Sequence, residues 1–175
     1  MTAPALADFL HGAFVDDLHT GGCDEVVVQF VLDVLDGERA HITLAYFGSN
    51  PAPEKFAGFV SFLMALDKAP VYARVVGKDL FGPNNDMPVL LVELPEAVRS
   101  AIVPFYAACA EPEGSWQKDA WALHGKQAEP KYHITLKHCP SIASLPVGAG
   151  LAVSGLQVKR LGGKNKPFFY MSVPR

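Results

Sequence analysis

Apolar positions along the chain follow two periods, and the switches between them mark its elements. Leu6, Phe9, Leu10, Phe14 and Leu18 recur at mostly helical spacing and stop at Gly21-Gly22, which predicts a short packed helix over 5–19. Val26 to Leu35 is a β-branched apolar run that predicts a strand, and Asp36-Gly37 then supplies the turn into an antiparallel partner. Helical spacing returns over 53–68 through Phe56, Phe59, Val60, Leu63 and Leu66. Two runs, 71–80 and 89–94, read as a hairpin around the polar loop Gly82-Pro83-Asn84-Asn85-Asp86. Pro95 opens a further helix with Val98, Ile102, Phe105 and Tyr106 on one side and Pro104 placed to kink it. Residues 111–131 show neither period, and Trp116, Trp121 and His124 suit a short helix or a lid. Two closing strands, 151–161 and 167–173, flank Gly162-Gly163-Lys164-Asn165-Lys166, either a soluble hairpin end or a basic phosphate-gripping loop.

Within this pattern one tetrapeptide occurs twice. His41-Ile42-Thr43-Leu44 returns 92 positions later as His133-Ile134-Thr135-Leu136, in a chain with only four threonines and six histidines. Arg39 and Lys131 each stand two residues before the histidine, so both copies read basic-x-His-x-Thr. Alternation predicts a strand in each, with side chains pointing to opposite faces in turn. Arg39, His41 and Thr43 then share one face, as do Lys131, His133, Thr135 and Lys137 in the second copy, while Ile42, Leu44, Ile134 and Leu136 turn toward a core. A cation, an imidazole and a hydroxyl in a row suit a phosphate.

Composition narrows the class. At 175 residues the chain reads as one domain able to bury a sizeable core without disulfides or metal. No apolar run reaches the length of a membrane span, and the acidic N-terminus lacks a signal peptide's basic flank, so a cytoplasmic protein with no membrane partner is expected. Cys23, Cys109 and Cys139 lack paired spacing and read as reduced core thiols. A metal site from His133 and His138 is disfavoured, because an offset of five puts them on opposite faces of a strand. Net charge is −3, but residues 126–175 hold eight Lys and Arg against Glu129 alone, a local +7 that leaves −10 on the remainder. That asymmetry favours an anionic ligand near the second histidine strand and opposes unspecific adhesion to long nucleic acid.

The two His-x-Thr strands, the first continuing as Ala45-Tyr46-Phe47-Gly48, resemble the two-histidine (2H) phosphoesterase superfamily, in its branch related to bacterial RNA 2′,3′-cyclic phosphodiesterases and 2′-5′ RNA ligases. The resemblance spans roughly residues 24–175. It implies an α+β, bilobed fold, two antiparallel sheets lining a central cleft with helices outside. An N-terminal helical extension over 1–22 would then precede a domain over 23–175. By the same resemblance His41 and His133 are the acid/base pair, and Thr43 and Thr135 hold the phosphate. Arg39, Lys131, Tyr132 and Lys137 are further candidates for substrate contacts, Tyr132 standing where many members have proline. Imidazole can give or take a proton near neutrality, and hydroxyls can donate to phosphate oxygens, so no metal or other cofactor is required.

The function expected is metal-independent hydrolysis of 2′,3′-cyclic phosphate or 2′-5′ linkages in RNA ends or small nucleotides by a monomer. Two other readings keep the same residues. One is a phosphodiesterase that degrades cyclic di- or oligonucleotide signals, as some phage and viral relatives in the superfamily do; the other is a module that binds nucleotides or RNA ends without cleaving them.

Overall fold

The computed structural model describes residues 9, 26–48, 66, 69–108, 121–124, 127–160 and 169–174. Gly37 sets the first hairpin: its φ of +85° costs glycine little, and Glu38 N donates to Leu35 O across the turn at 3.0 Å. The turn joins β1 (Val26–Leu32) to β2 (His41–Gly48), antiparallel, with His41 opposite Val31 and Thr43 opposite Gln29. The second hairpin pairs β3 (Tyr72–Phe81) with β4 (Met87–Glu93), as its alternation predicts. Its loop turns at Gly82, φ +93°, whose carbonyl accepts from Asn85 N at 3.1 Å.

Helix α1 (Glu96–Ala108) starts where Pro95 predicts, with Pro95 O accepting from Val98 N and Arg99 N. Val98 and Ile102, four apart, bury one side of it. The helix runs on past Pro104, so that proline does not end it. Beyond it, β5 (Trp121–His124) and β6 (Gln127–Pro130) form a separate antiparallel pair, where a short helix or lid is expected from the sequence. β7 (His133–Thr135) gives way at once to a 3-10 turn over Leu136–His138 and another over Pro140–Ile142. The chain closes with β8 (Gly150–Arg160) and β9 (Phe169–Ser172).

Hydrogen bonding orders the main sheet β2-β1-β8-β3-β4-β7, with β9 beside β8. All its pairings are antiparallel, and among the described residues the architecture is α+β, mostly sheet with few helices. β8 is the hub. Its first residues, 150–152, pair with β3, whereas 153–160 pair with β1 and 155–158 with β9. One face carries the core: Phe30, Ile42, Leu44, Leu90, Ile134 and Leu156 are fully buried there, and Ile102 of α1 joins the same cluster. The alternation holds through the first tetrapeptide and as far as Thr135 in the second, since Ile42, Leu44 and Ile134 are buried while His41, Thr43, His133 and Thr135 are half-buried; Leu136 falls on the 3-10 turn and is only half-buried.

Among the described residues no helix is long and apolar enough to cross a membrane. Cys139 is buried and free. The helices expected over 5–19 and 53–68, the loop over 162–166, Cys23 and Cys109 lie outside the described residues, apart from Phe9 and Leu66, which are helical.

Candidate functional site

The two histidine strands stand at opposite ends of the strand order, yet the fold returns them to one another. Arg39 N, just before β2, donates to His138 O, just after β7, at 3.0 Å. Beside that bond the Glu38 carboxylate accepts from Ser141 N at 3.0 Å and from the Ser141 hydroxyl. These bonds clasp the turn before one motif to the turn after the other. His133 consequently lies close enough to His41 to help lower its pKa.

His41 sits on the sheet face opposite the core. Burial is the main reason its pKa is pushed down to about 4; the nearby Lys159 ammonium, and then His133 and His138, act in the same direction. His133 is also held below its ordinary value by burial, partly offset by a hydrogen bond to Lys131 O. Its Nδ1 lies 2.9 Å from that oxygen. A carbonyl can only accept, so Nδ1 carries the proton and the neutral ring keeps its lone pair at Nε2. Phe81, at the end of β3, packs on this imidazole with ring centroids 4.6 Å apart at 57°, fixing its plane and excluding water from one side.

Directly paired residues of antiparallel strands share a face, so the register spells out what surrounds His41. Thr43 faces Gln29, Gln29 faces Gln157, and Lys159 faces Val27. A cavity of about 220 Å³ on this face is lined by Gln29, Glu38, Arg39, His41, Gln157 and Lys159, among others. His133 is not part of its lining. Lys159 is half-buried, and its pKa is pushed down by that burial and by Arg39. Arg39, Lys159 and His41 thus line one cavity with the Glu38 carboxylate, and an anion there would relieve the repulsion between the two cations.

The other candidates fall in different places. Arg39 is exposed and lines the cavity. Lys131 is exposed and meets the site through its carbonyl oxygen. Tyr132 is 5% exposed and packs within the core, on the side of the strand that carries Ile134. Lys137 departs from the expected row: the strand ends at Thr135, and Lys137 lies exposed on the 3-10 turn. The break has a local cause, since Cys139 folds back, its Sγ donating to Thr135 O at 3.1 Å and its N to Leu136 O at 3.2 Å. The same turn removes the opposite-face argument for His133 and His138, and His138 lies close enough to act on His41. Among the described residues, no group of three or more His, Cys, Asp or Glu is arranged to hold a metal ion. Gln29, Gln157, Lys159 and Phe81 were not singled out from the sequence. Gln29 had left a visible signal, as the sole polar residue in Val26–Leu32.

No family model matches the chain, and a search of curated proteins finds no relative. Among solved structures, it is similar to Usb1 of Kluyveromyces marxianus at 10% identity, with a TM-score of 0.46, over 88% of this chain and 99% of that one. It is also similar to the same yeast protein solved with uridine monophosphate, at 11% identity and a TM-score of 0.37, over 99% of this chain and 91% of that one.

Proposed function

We propose that the chain is a metal-independent phosphodiesterase opening 2′,3′-cyclic phosphate or 2′-5′ linkages of RNA ends or small nucleotides, with His41 and His133 as its acid/base pair. The observation that supports this most is that two identical basic-x-His-x-Thr strands, at opposite ends of the strand order, hold imidazoles within electrostatic reach of each other. A binding module has no need of two such rings.

The tautomer of His133 suits it to the base role, with Nε2 taking a proton from the attacking water. His41 is then the acid that protonates the departing ribose 3′ oxygen, leaving a 2′-phosphate. At rest it is neutral above pH about 4, so it must gain its proton in the complex. An anionic phosphate about 4 Å away at an effective dielectric of about 20 is worth roughly 4 kcal/mol. That is enough to raise a pKa by about 3, bringing His41 back to the neutral range. Thr43 and Thr135 donate to the non-bridging oxygens as charge accumulates on them.

The test is incubation with nucleoside 2′,3′-cyclic phosphates, 2′-5′ dinucleotides and cyclic dinucleotides, with products identified by mass and phosphate position. His41→Ala and His133→Ala should each lower turnover by about 10²- to 10⁴-fold with the fold intact, and a chelator should change nothing. Near-wild-type turnover in either variant removes the mechanism, and turnover confined to cyclic dinucleotides redirects it to signal degradation.

A further inference from the structure

On the His41 side of the sheet, one register row crosses four strands. Thr43 of β2 faces Gln29 of β1, Gln29 faces Gln157 of β8, and Gln157 faces Tyr170 of β9. Gln29 is 2% exposed, and among the described residues no hydrogen bond reaches its carboxamide. Buried amides are nearly always paired, so this one has bonding capacity open to a ligand. Its side chain and that of Gln157 line the cavity holding His41.

At the far end of the row, the Tyr170 side chain is 51% exposed. Its ring leans over Gly155, where a Cβ would come 2.8 Å from the ring's Cε2 and closer still to its tip. Gly155 pairs with Val31, and Val31 with His41, so the ring lies on the same face as the imidazole. Glycine at that position lets an aromatic ring lie down on the sheet with its outer face open. With strands about 4.8 Å apart, the ring rests over β8 about 10 Å from the backbone of β2.

We propose that this row is a nucleoside track: Tyr170 stacks the base, Gln157 and Gln29 bind its polar edges or the ribose hydroxyls, and the phosphate lies at the Thr43 end. The inference rests on the phosphodiesterase reading for the position of the phosphate. The base itself is taken by stacking, which any nucleobase can satisfy, so affinity should depend on having a base more than on which base.

Calorimetric titration of the intact protein with adenosine and uridine 2′-monophosphates, and with ribose 5-phosphate as the baseless probe, tests it. Tyr170→Leu should weaken both nucleotides about tenfold or more and leave ribose 5-phosphate unchanged. Tyr170→Phe should stay within about twofold of wild type, since it keeps the ring. Gly155→Ala, which lifts the ring without removing it, should reproduce the loss. The track is overturned if wild type binds nucleotides no better than the sugar phosphate, if Tyr170→Leu binds all three as wild type does, or if it loses all three equally. Base-dependent binding that Tyr170→Leu removes, in a protein that hydrolyses nothing, keeps the track and ends the catalytic reading. Histidine-dependent hydrolysis with unchanged nucleotide affinity in Tyr170→Leu does the reverse.

Discussion

His41 shows how much a single residue's surroundings decide. In the unfolded chain its imidazole titrates near 6.5, and in the fold near 4, so between those values the unfolded state binds the extra proton. Stability therefore rises with pH across that window and is lost as pH falls through it, by at most about 3 kcal/mol from this residue. Urea unfolding at pH 7 and pH 4.5 should show the fall, and His41→Gln should reduce it; an undiminished fall in that variant contradicts the assignment. Catalysis should respond in a related way. On the proposed mechanism His41 is the acid, with a pKa of about 4 in the free protein that a bound anion would raise, so the pH optimum of kcat should lie above that of kcat/KM by a unit or more. Coincident optima would mean that His41 is not the group that gains a proton in the complex. The motif residues were legible in the sequence because repetition singles them out. Lys159 and Gln157 were not, because only the pairing of β8 with β1 puts them beside His41.

Among the elements, the decisive one is the pair of turns that flank the motifs. Glu38 and Ser141 are 103 positions apart, and the Glu38 carboxylate takes both the amide and the hydroxyl of Ser141. Hydrogen bonds to a charged group contribute about 1.5–3 kcal/mol, so Glu38→Ala should lower unfolding free energy by that order. On the proposed mechanism it should also reduce turnover more than it weakens binding of a nucleotide product, since what it loosens is the clasp between the turns that flank His41 and His133. A variant with wild-type stability and kcat would show the clasp to be idle. The strands of both hairpins were legible from alternation and turn residues. The β5–β6 pair was not, because Trp-Ala-Leu-His and Gln-Ala-Glu-Pro offer no β-branched alternation. The end of β7 was hidden for a different reason: Leu136-Lys137 continues the alternation in sequence, and only the fold-back of Cys139 interrupts it.

For the molecule as a whole, charge and connectivity matter most. The net −3 conceals a basic C-terminal region, and Lys159 delivers part of that charge into the cavity. Raising salt from 50 to 500 mM should therefore lower kcat/KM for an anionic nucleotide several-fold, and Lys159→Gln should flatten the dependence; an equally steep response in the variant would assign the steering elsewhere. Connectivity has a consequence in time. Because β8 supplies the neighbour for both β1 and β3, a ribosome that has made only the first 140 residues has released two hairpins whose joining strand does not yet exist. Each must wait with an open apolar flank, and His41 cannot gain the surroundings that β8 supplies, Gln157 and Lys159, until that strand is made. Folding of this chain should be slow for its size, a late event closing over distant contacts, and nascent chains halted before Gly150 should depend on chaperones where chains carrying β8 and β9 do not.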